Sequence, residues 1–388
     1  MTEPVHVSGV GMTRFGKHPD RTLKDLAGEA LDAVFEDAGL KPVDLDVAYC
    51  ANSVAGIVTG QEAIRGQTVL HPYGIGGLPV FNVENACASS SSAVHLAWQA
   101  VMSGTADTAL VLGFEKLHHQ DRAVSYRALA SAVDVEVHPP GEGSPFLRHA
   151  AEAAEAYLAR IGGDQRTLAQ IAAKSHHHSS LNPYAQYREP YTAEEILASP
   201  SVGGGLTRLM CAPIGDGAAA LLLSRQPGHG GRPAVRIAST VVGSAHPHRT
   251  DVPPIAERVA TLAFGAAGLA PGDVDVVELH DTTAFNELRL YEELGLFAPD
   301  ELVDVVAGDR TKLGSAGPVV NPSGGLVSRG HPVGATGAAQ LVELVWQLRG
   351  DAGERQVEGA RIALAQNGGG RVGHETAALA VTLLERSL

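Results

Sequence analysis

Residues 26–50, LAGEALDAVFEDAGLKPVDLDVAYC, and residues 257–280, ERVATLAFGAAGLAPGDVDVVELH, are two versions of one pattern. Each begins with apolar positions at helical spacing, stops at Gly-Leu and ends in a short apolar run that suits a strand. Ala38-Gly39-Leu40 matches Ala267-Gly268-Leu269, and Asp46 matches Asp275, at one constant offset. Further along, VHLAWQAVMSG from Val94 is similar to VELVWQLRG from Val342, and an Ala-rich strand follows each. The chain is therefore expected to hold two copies of one α/β unit.

The copies open with strand-like VHVSGVG near residue 5 and VRIASTVVG near residue 235. The polar, glycine-rich SRQPGHGGRP at 224–233 reads as the boundary, which gives halves at 1–226 and 233–388. Each half is expected to be an α/β layered sandwich. The stretch at 114–216 has no counterpart in the second copy and reads as an insertion lying over the site, where specificity would reside.

A chain of 388 residues, 44% hydrophobic and 19% charged, has enough apolar material for a large core. No run approaches the roughly 18 apolar residues that span a bilayer. The opening MTEPVHVSGVG lacks the basic and apolar regions of a signal peptide, so a cytoplasmic location is expected. Three cysteines, Cys50, Cys87 and Cys211, with no CxxC pair, make disulfides and structural zinc unexpected. The formal charge of -14 argues against a nucleic-acid surface, which needs clustered Lys and Arg.

Cys87 precedes SSSSAVHLAWQAVMSG, a segment apolar on nearly every face and so a buried helix. A thiol at such a helix start feels the positive end of the dipole, which favours its thiolate. A free cysteine is as readily a small buried hydrophobe, and the four serines read as packing or capping residues. His331 lies in NPSGGLVSRGHPVGATG, where glycines and Pro332 build a rigid turn before the helix that matches the one after Cys87. That setting suits a positioned base or oxyanion donor, against the plainer reading of a capping group. His280 and Asp281 close the apolar strand of the second copy, at the end where α/β sheets build sites; alternatively Asp281 only caps the next helix. QNGGG at 366–370 ends another strand with glycines that let backbone N–H groups approach an oxyanion. The run His176-His177-His178 lacks the spacing of a metal site and reads as a solvated helix end; no metal is expected. Phosphate-loop, GxSxG and dinucleotide-loop patterns are absent.

Taken together, GVGMTRFGK at 9–17, NACASSSSA around Cys87, HHSSLNPYAQYREPYT at 177–192, CAPIGDGAAA at 211–220, ELHD, NELRLYEELGL, NPSGGLVSRGHPVGATG and AQNGGG resemble the thiolase superfamily. Within it the resemblance is to the sterol-carrier-protein (lipid-transfer) thiolase group. It implies a thiolase-like fold of two repeated five-layered αβαβα halves with an inserted loop domain, and a homodimer. Pairing would run through a first-half edge strand near ADTALVLG or FNVENA. Residue by residue, it implies Cys87 as the acylated nucleophile, His331 as its activator and His280 as the partner completing that oxyanion site. The backbone N–H groups of Cys87 and Gly369 would form the other oxyanion hole, and Thr282, Asn321 and Asn367 would lie within reach of substrate. No permanently bound cofactor is implied; a coenzyme A thioester is the substrate.

The family's second cysteine lies in a late CxGGG motif or just after the HD pair, positions that read here as Asn367 and Thr282. Neither is a base near neutral pH, so conventional two-cysteine thiolysis is not expected, and the Cys-His-His set is similar to that of decarboxylating ketosynthases. The leading expectation is an acyltransferase on acyl-CoA through an acyl-Cys87. The alternatives are a retro-aldol lyase on β-hydroxyacyl-CoA, working with a small OB-fold partner protein, and a non-catalytic lipid-binding scaffold.

Overall fold

The structure is a computed structural model, described over residues 3–139, 144–228, 231–247 and 252–387. Residues 229–230 of the expected boundary and 140–143 of the expected insertion lie outside the described residues. Twelve strands occur among those described: β1 (His6–Met12), β2 (Val47–Ala51), β3 (Val80–Val83), β4 (Thr108–Glu115), β5 (Ser201–Gly203), β6 (Leu206–Thr207), β7 (Gly217–Ser224), β8 (Val235–Ser244), β9 (Val276–Glu278), β10 (Val319–Val320), β11 (Ile362–Val372) and β12 (Glu375–Arg386). All but the β5–β6 ribbon join in the order β10-β9-β11-β12-β8-β1-β7-β4-β2-β3.

The repeat is visible in this order. Outward from the β1–β8 seam, β1-β7-β4-β2-β3 mirrors β8-β12-β11-β9-β10. In each arm the first two pairings are antiparallel and the last two parallel. The seam is slight, one residue pair, His6 with Arg236, supported by the Ile237 N–H donating to Val5 O at 2.9 Å. The matched Ala-Gly-Leu is a helix stop in both copies. Helices Leu23–Ala38 and Ile255–Ala267 end at Gly39 (φ 65°) and Gly268 (φ 68°), left-handed positions that glycine takes without penalty.

Strand faces set the layers. On β7, Ala218, Ala220 and Leu222 pack against helix Leu23–Ala38, while Ala219, Leu221 and Leu223 face the middle of the molecule. There they meet helices Ser89–Ser103 and Thr336–Arg349, one from each half. On the far side Leu379, Val381 and Leu383 of β12 face Ala260 and Ala263 of helix Ile255–Ala267. The αβαβα stack is thus completed by the two halves jointly, around a shared helical layer.

The chain between β4 and β7 leaves the first half and packs on the second. Helix Gln165–Ser180 lays Leu168 and Ile171 against Leu288, Tyr291 and Val305. Its buried Lys174 pairs with buried Glu287, whose other carboxylate oxygen accepts from Asn321 Nδ2 at 2.6 Å.

Two expectations need correction. The stretch ADTALVLG forms β4, an interior strand between β7 and β2; the free edge of the first half is β3, where half-exposed Phe81 stacks on Tyr49. His176 and His178 are fully buried. The His178 Nδ1–H donates to Asn321 O at 2.9 Å and its Nε2 accepts from Leu313 N–H at 3.1 Å, so the ring stays neutral beside Lys174. Helical spacing shows which way a residue points but not what docks there.

Candidate active site

Cys87 sits in a tight turn between β3 and helix Ser89–Ser103. Ala86 holds a positive φ of 48°, and Asn85 O accepts the Ala88 N–H at 3.0 Å. The serines stitch this turn together, in keeping with the sequence reading. Ser89 Oγ accepts Asn85 N–H at 3.0 Å, Asn85 Nδ2 donates to Ser92 Oγ at 2.9 Å, and Ser90 Oγ accepts Ala338 N–H from the opposing central helix.

His331 approaches from the other half. Its Nε2 lies 3.2 Å from Cys87 Sγ and its Nδ1 lies 2.7 Å from Thr336 Oγ1. The Thr336 hydroxyl proton is directed at Pro332 O, 3.0 Å away, so Thr336 Oγ1 accepts from His331 Nδ1–H. The tautomer follows: the Nε2 lone pair faces the thiol. His280 stands beside it, with ring centroids 5.2 Å apart. Ligand-type atoms of Cys87, His280 and His331 all lie within 4.8 Å of one another. His280 Nε2 is buried with no hydrogen-bond partner. Leu117 and Ala128 from the inserted segment pack with Cys87, Val54 and Val333, so that segment covers the thiol.

Electrostatics reverse one expectation. Burial, reinforced by the nearby Glu115 carboxylate, pushes the Cys87 thiol up to about 12, although backbone N–H groups of Gly370 and Cys87 point at the sulfur. Desolvation outweighs the helix end, so the resting pair is a neutral thiol and a neutral imidazole. Burial lowers His280 to about 3 and holds His331 well below its usual range, with the neighbouring His280 adding to the effect. Glu115 accepts N–H groups from Ser53, Val54 and Gly334, tying the turn after His331 to the end of β4; its own burial lifts it to about 7.

The remaining sequence candidates separate. The Gly370 N–H points at the Cys87 sulfur, next to Gly369, the residue expected to donate to an oxyanion. Gly369 is a close-approach point, since a Cβ there would lie 2.1 Å from Asn85 O. Asn321 does not face the site: it is fully buried, its Oδ1 accepts Leu279 N–H at 2.7 Å and its Nδ2 is given to Glu287. Asn367 turns toward the central helix and donates to Gln340 Oε1 at 3.0 Å, leaving its Oδ1 buried without a partner. Thr282 Oγ1 accepts from Asn286 Nδ2 at 2.7 Å. Asp281 accepts Leu326 N–H at 2.7 Å, while Thr283 caps the helix Ala284–Glu293.

Gln366 was missed. Its Oε1 accepts His280 N–H at 3.1 Å, and a Cβ on Gly368 would come within 3.5 Å of His280 Nδ1 and 3.7 Å of Gln366 Nε2. Strand alternation therefore puts 366 and 368 on the His280 side and 367 on the other. The CxGGG spacing counted back from Gly368 also falls on Gln366.

Comparison with known proteins shows the family. Residues 5–227 match the family described as "Thiolase, N-terminal domain" and residues 241–382 match "Thiolase C-terminal domain-like". "Sterol carrier protein 2" of Gallus gallus is 38% identical over 389 residues, covering 95% of this chain and 70% of that protein. "Acetyl-CoA acetyltransferase" of Methanothermobacter thermautotrophicus is 38% identical over 378 residues, covering 95% and 97%. The solved structure titled "Ltp2-ChsH2(DUF35) aldolase" superposes with a TM-score of 0.80 at 23% identity, covering 100% of this chain and 99% of that one, which speaks to fold alone. Two half-chains of matching topology, a cysteine of one facing a histidine of the other, and family matches spanning both place this chain in the thiolase family.

Proposed function

We propose that the protein is an acyltransferase in which Cys87 takes the acyl group from a coenzyme A thioester. The observation that carries this reading is the 3.2 Å contact between Cys87 Sγ and a His331 Nε2 whose lone pair is fixed toward it. In the acylation step the thiol proton moves to His331 Nε2 as sulfur attacks the thioester carbonyl. The carbonyl oxygen becomes an oxyanion, held by the N–H groups of Cys87 and Gly370. Collapse expels coenzyme A as a thiolate, which takes the proton back from His331. His280, with its free Nε2, polarises the carbonyl of the second substrate.

A carbon acceptor needs a carbanion, and neither Thr282 nor Gln366 removes an α-proton near neutral pH. An acceptor that loses carbon dioxide supplies its own carbanion and fits this set. A retro-aldol cleavage of β-hydroxyacyl-CoA is the second reading, favoured by the same missing base. We place the protein in the cytoplasm as a homodimer joined through β3, and assign the retro-aldol activity a small OB-fold partner protein. No helix among the described residues is long and apolar enough to cross a membrane. Whole-protein mass spectrometry after incubation with a panel of acyl-CoA thioesters tests the reading. An acyl-sized mass gain on the wild type supports it, and turnover of a coenzyme A ester by Cys87→Ala at near wild-type rate overturns it.

A further inference from the structure

We infer that Cys87, His280 and His331 also form a metal trap, a thiolate and two imidazoles that bind a borderline divalent ion such as Zn2+ and silence the nucleophile reversibly. The inference does not depend on which acyl group the enzyme carries.

The geometry is close to what such an ion needs. The three ligand-type atoms lie within 4.8 Å of one another, and the sulfur and His331 Nε2 are 3.2 Å apart. Tetrahedral zinc with bonds of about 2.3 Å to sulfur and about 2.0 Å to nitrogen puts neighbouring ligand atoms roughly 3.3–3.6 Å apart. At most the two pairs that involve His280 must close, by up to about 1.5 Å, with a fourth position left for water.

Two features of the cluster favour an ion there. The His331 lone pair already faces the sulfur, and Thr336 holds the opposite ring nitrogen, the outer contact that orients a ligating histidine. His280 Nε2 is a buried polar atom that nothing else satisfies, and coordination would satisfy it. Sulfur and imidazole with no oxygen ligand select Zn2+ or Co2+ over Mg2+ and Ca2+. Binding is a substitution without redox change: the Cys87 S–H bond breaks, its proton leaves to solvent, and a sulfur–metal bond forms. One proton is released per ion bound.

The test uses the reduced, metal-free, full-length protein without substrate. Added Co2+ is expected to give a thiolate-to-cobalt charge-transfer band in the near ultraviolet, lost in the nearly isosteric Cys87→Ser. Micromolar Zn2+ is expected to protect Cys87 from iodoacetamide, with EDTA restoring alkylation and millimolar Mg2+ giving no protection. His280→Ala is expected to weaken Zn2+ protection at least tenfold, each variant being scored against its own metal-free alkylation rate. No band and no protection at 100 micromolar ion would overturn the proposal. So would unchanged Zn2+ affinity in both His280→Ala and His331→Ala, which would leave a lone thiol as the site. Neither outcome bears on acyl transfer, because no thioester is present.

Discussion

Thr336 Oγ1 accepts the Nδ1 proton of His331 at 2.7 Å while giving its own proton to Pro332 O, and this fixes which nitrogen of the imidazole meets Cys87. A hydroxyl five residues along the same turn thus decides whether the ring can act as a base toward the thiol.

Thr336→Val removes that acceptor while keeping the shape. Acylation of Cys87 is expected to slow by roughly ten- to a hundredfold, the range for disturbing a positioned acid-base group, and Thr336→Ser to restore most of it. Single-turnover acylation measured by mass spectrometry checks this; equal rates in Val and Ser variants would show that the hydroxyl does not set the tautomer.

Cys87→Ala is expected to abolish acyl-enzyme formation and turnover, whereas Thr282→Ala leaves acylation nearly intact. Acylation requires a thiol, an imidazole and oxyanion donors, and the Thr282 hydroxyl is turned to Asn286. His331→Ala should slow acylation by about a hundredfold or more. Intact-mass time courses separate the three variants.

A thiol pushed up to about 12 beside a neutral imidazole has no thiolate reserve at neutral pH. Alkylation of Cys87 by iodoacetamide should therefore rise about tenfold per pH unit from 7 to 9, following the thiolate fraction. A thiolate–imidazolium pair would instead give a flat profile over that range. Peptide mapping of the modified site at several pH values distinguishes them.

Lys174 reaches from the inserted segment to Glu287, both buried, and Glu287 in turn holds Asn321, whose Oδ1 fixes the Leu279 N–H next to His280. Lys174→Met leaves a buried carboxylate without its cation, which costs about 3–5 kcal/mol. The double variant Lys174→Met, Glu287→Leu should recover part of that loss. Urea unfolding of wild type, single and double variants gives the numbers.

Much of this is legible in the sequence. The Ala-Gly-Leu stops and the Asp46/Asp275 pair revealed the repeat because a left-handed stop and a turn carboxylate tolerate few substitutes. Cys87, His280 and His331 stood out because each sits where a strand ends or a glycine-shaped turn begins. Strand phase was harder: a one-residue offset in QNGGG separates Gln366, facing His280, from Asn367, facing the central helix. The thiol's direction of shift was misjudged because a helix end is local and visible in sequence, whereas burial and Glu115 arrive through tertiary packing. His176 and His178 went the same way, since the surfaces that bury them lie far along the chain.

The shared helical layer sets when this protein becomes an enzyme. The thiol stands at the start of one central helix and its base just ahead of the other, 244 residues apart along the chain. Contacts so distant form late, after local helices and hairpins have closed. The thiol and its base meet only once the two halves have docked, so a nascent or half-folded chain carries the thiol without its base. What assembly adds is the pairing of thiol with base, not the thiol itself.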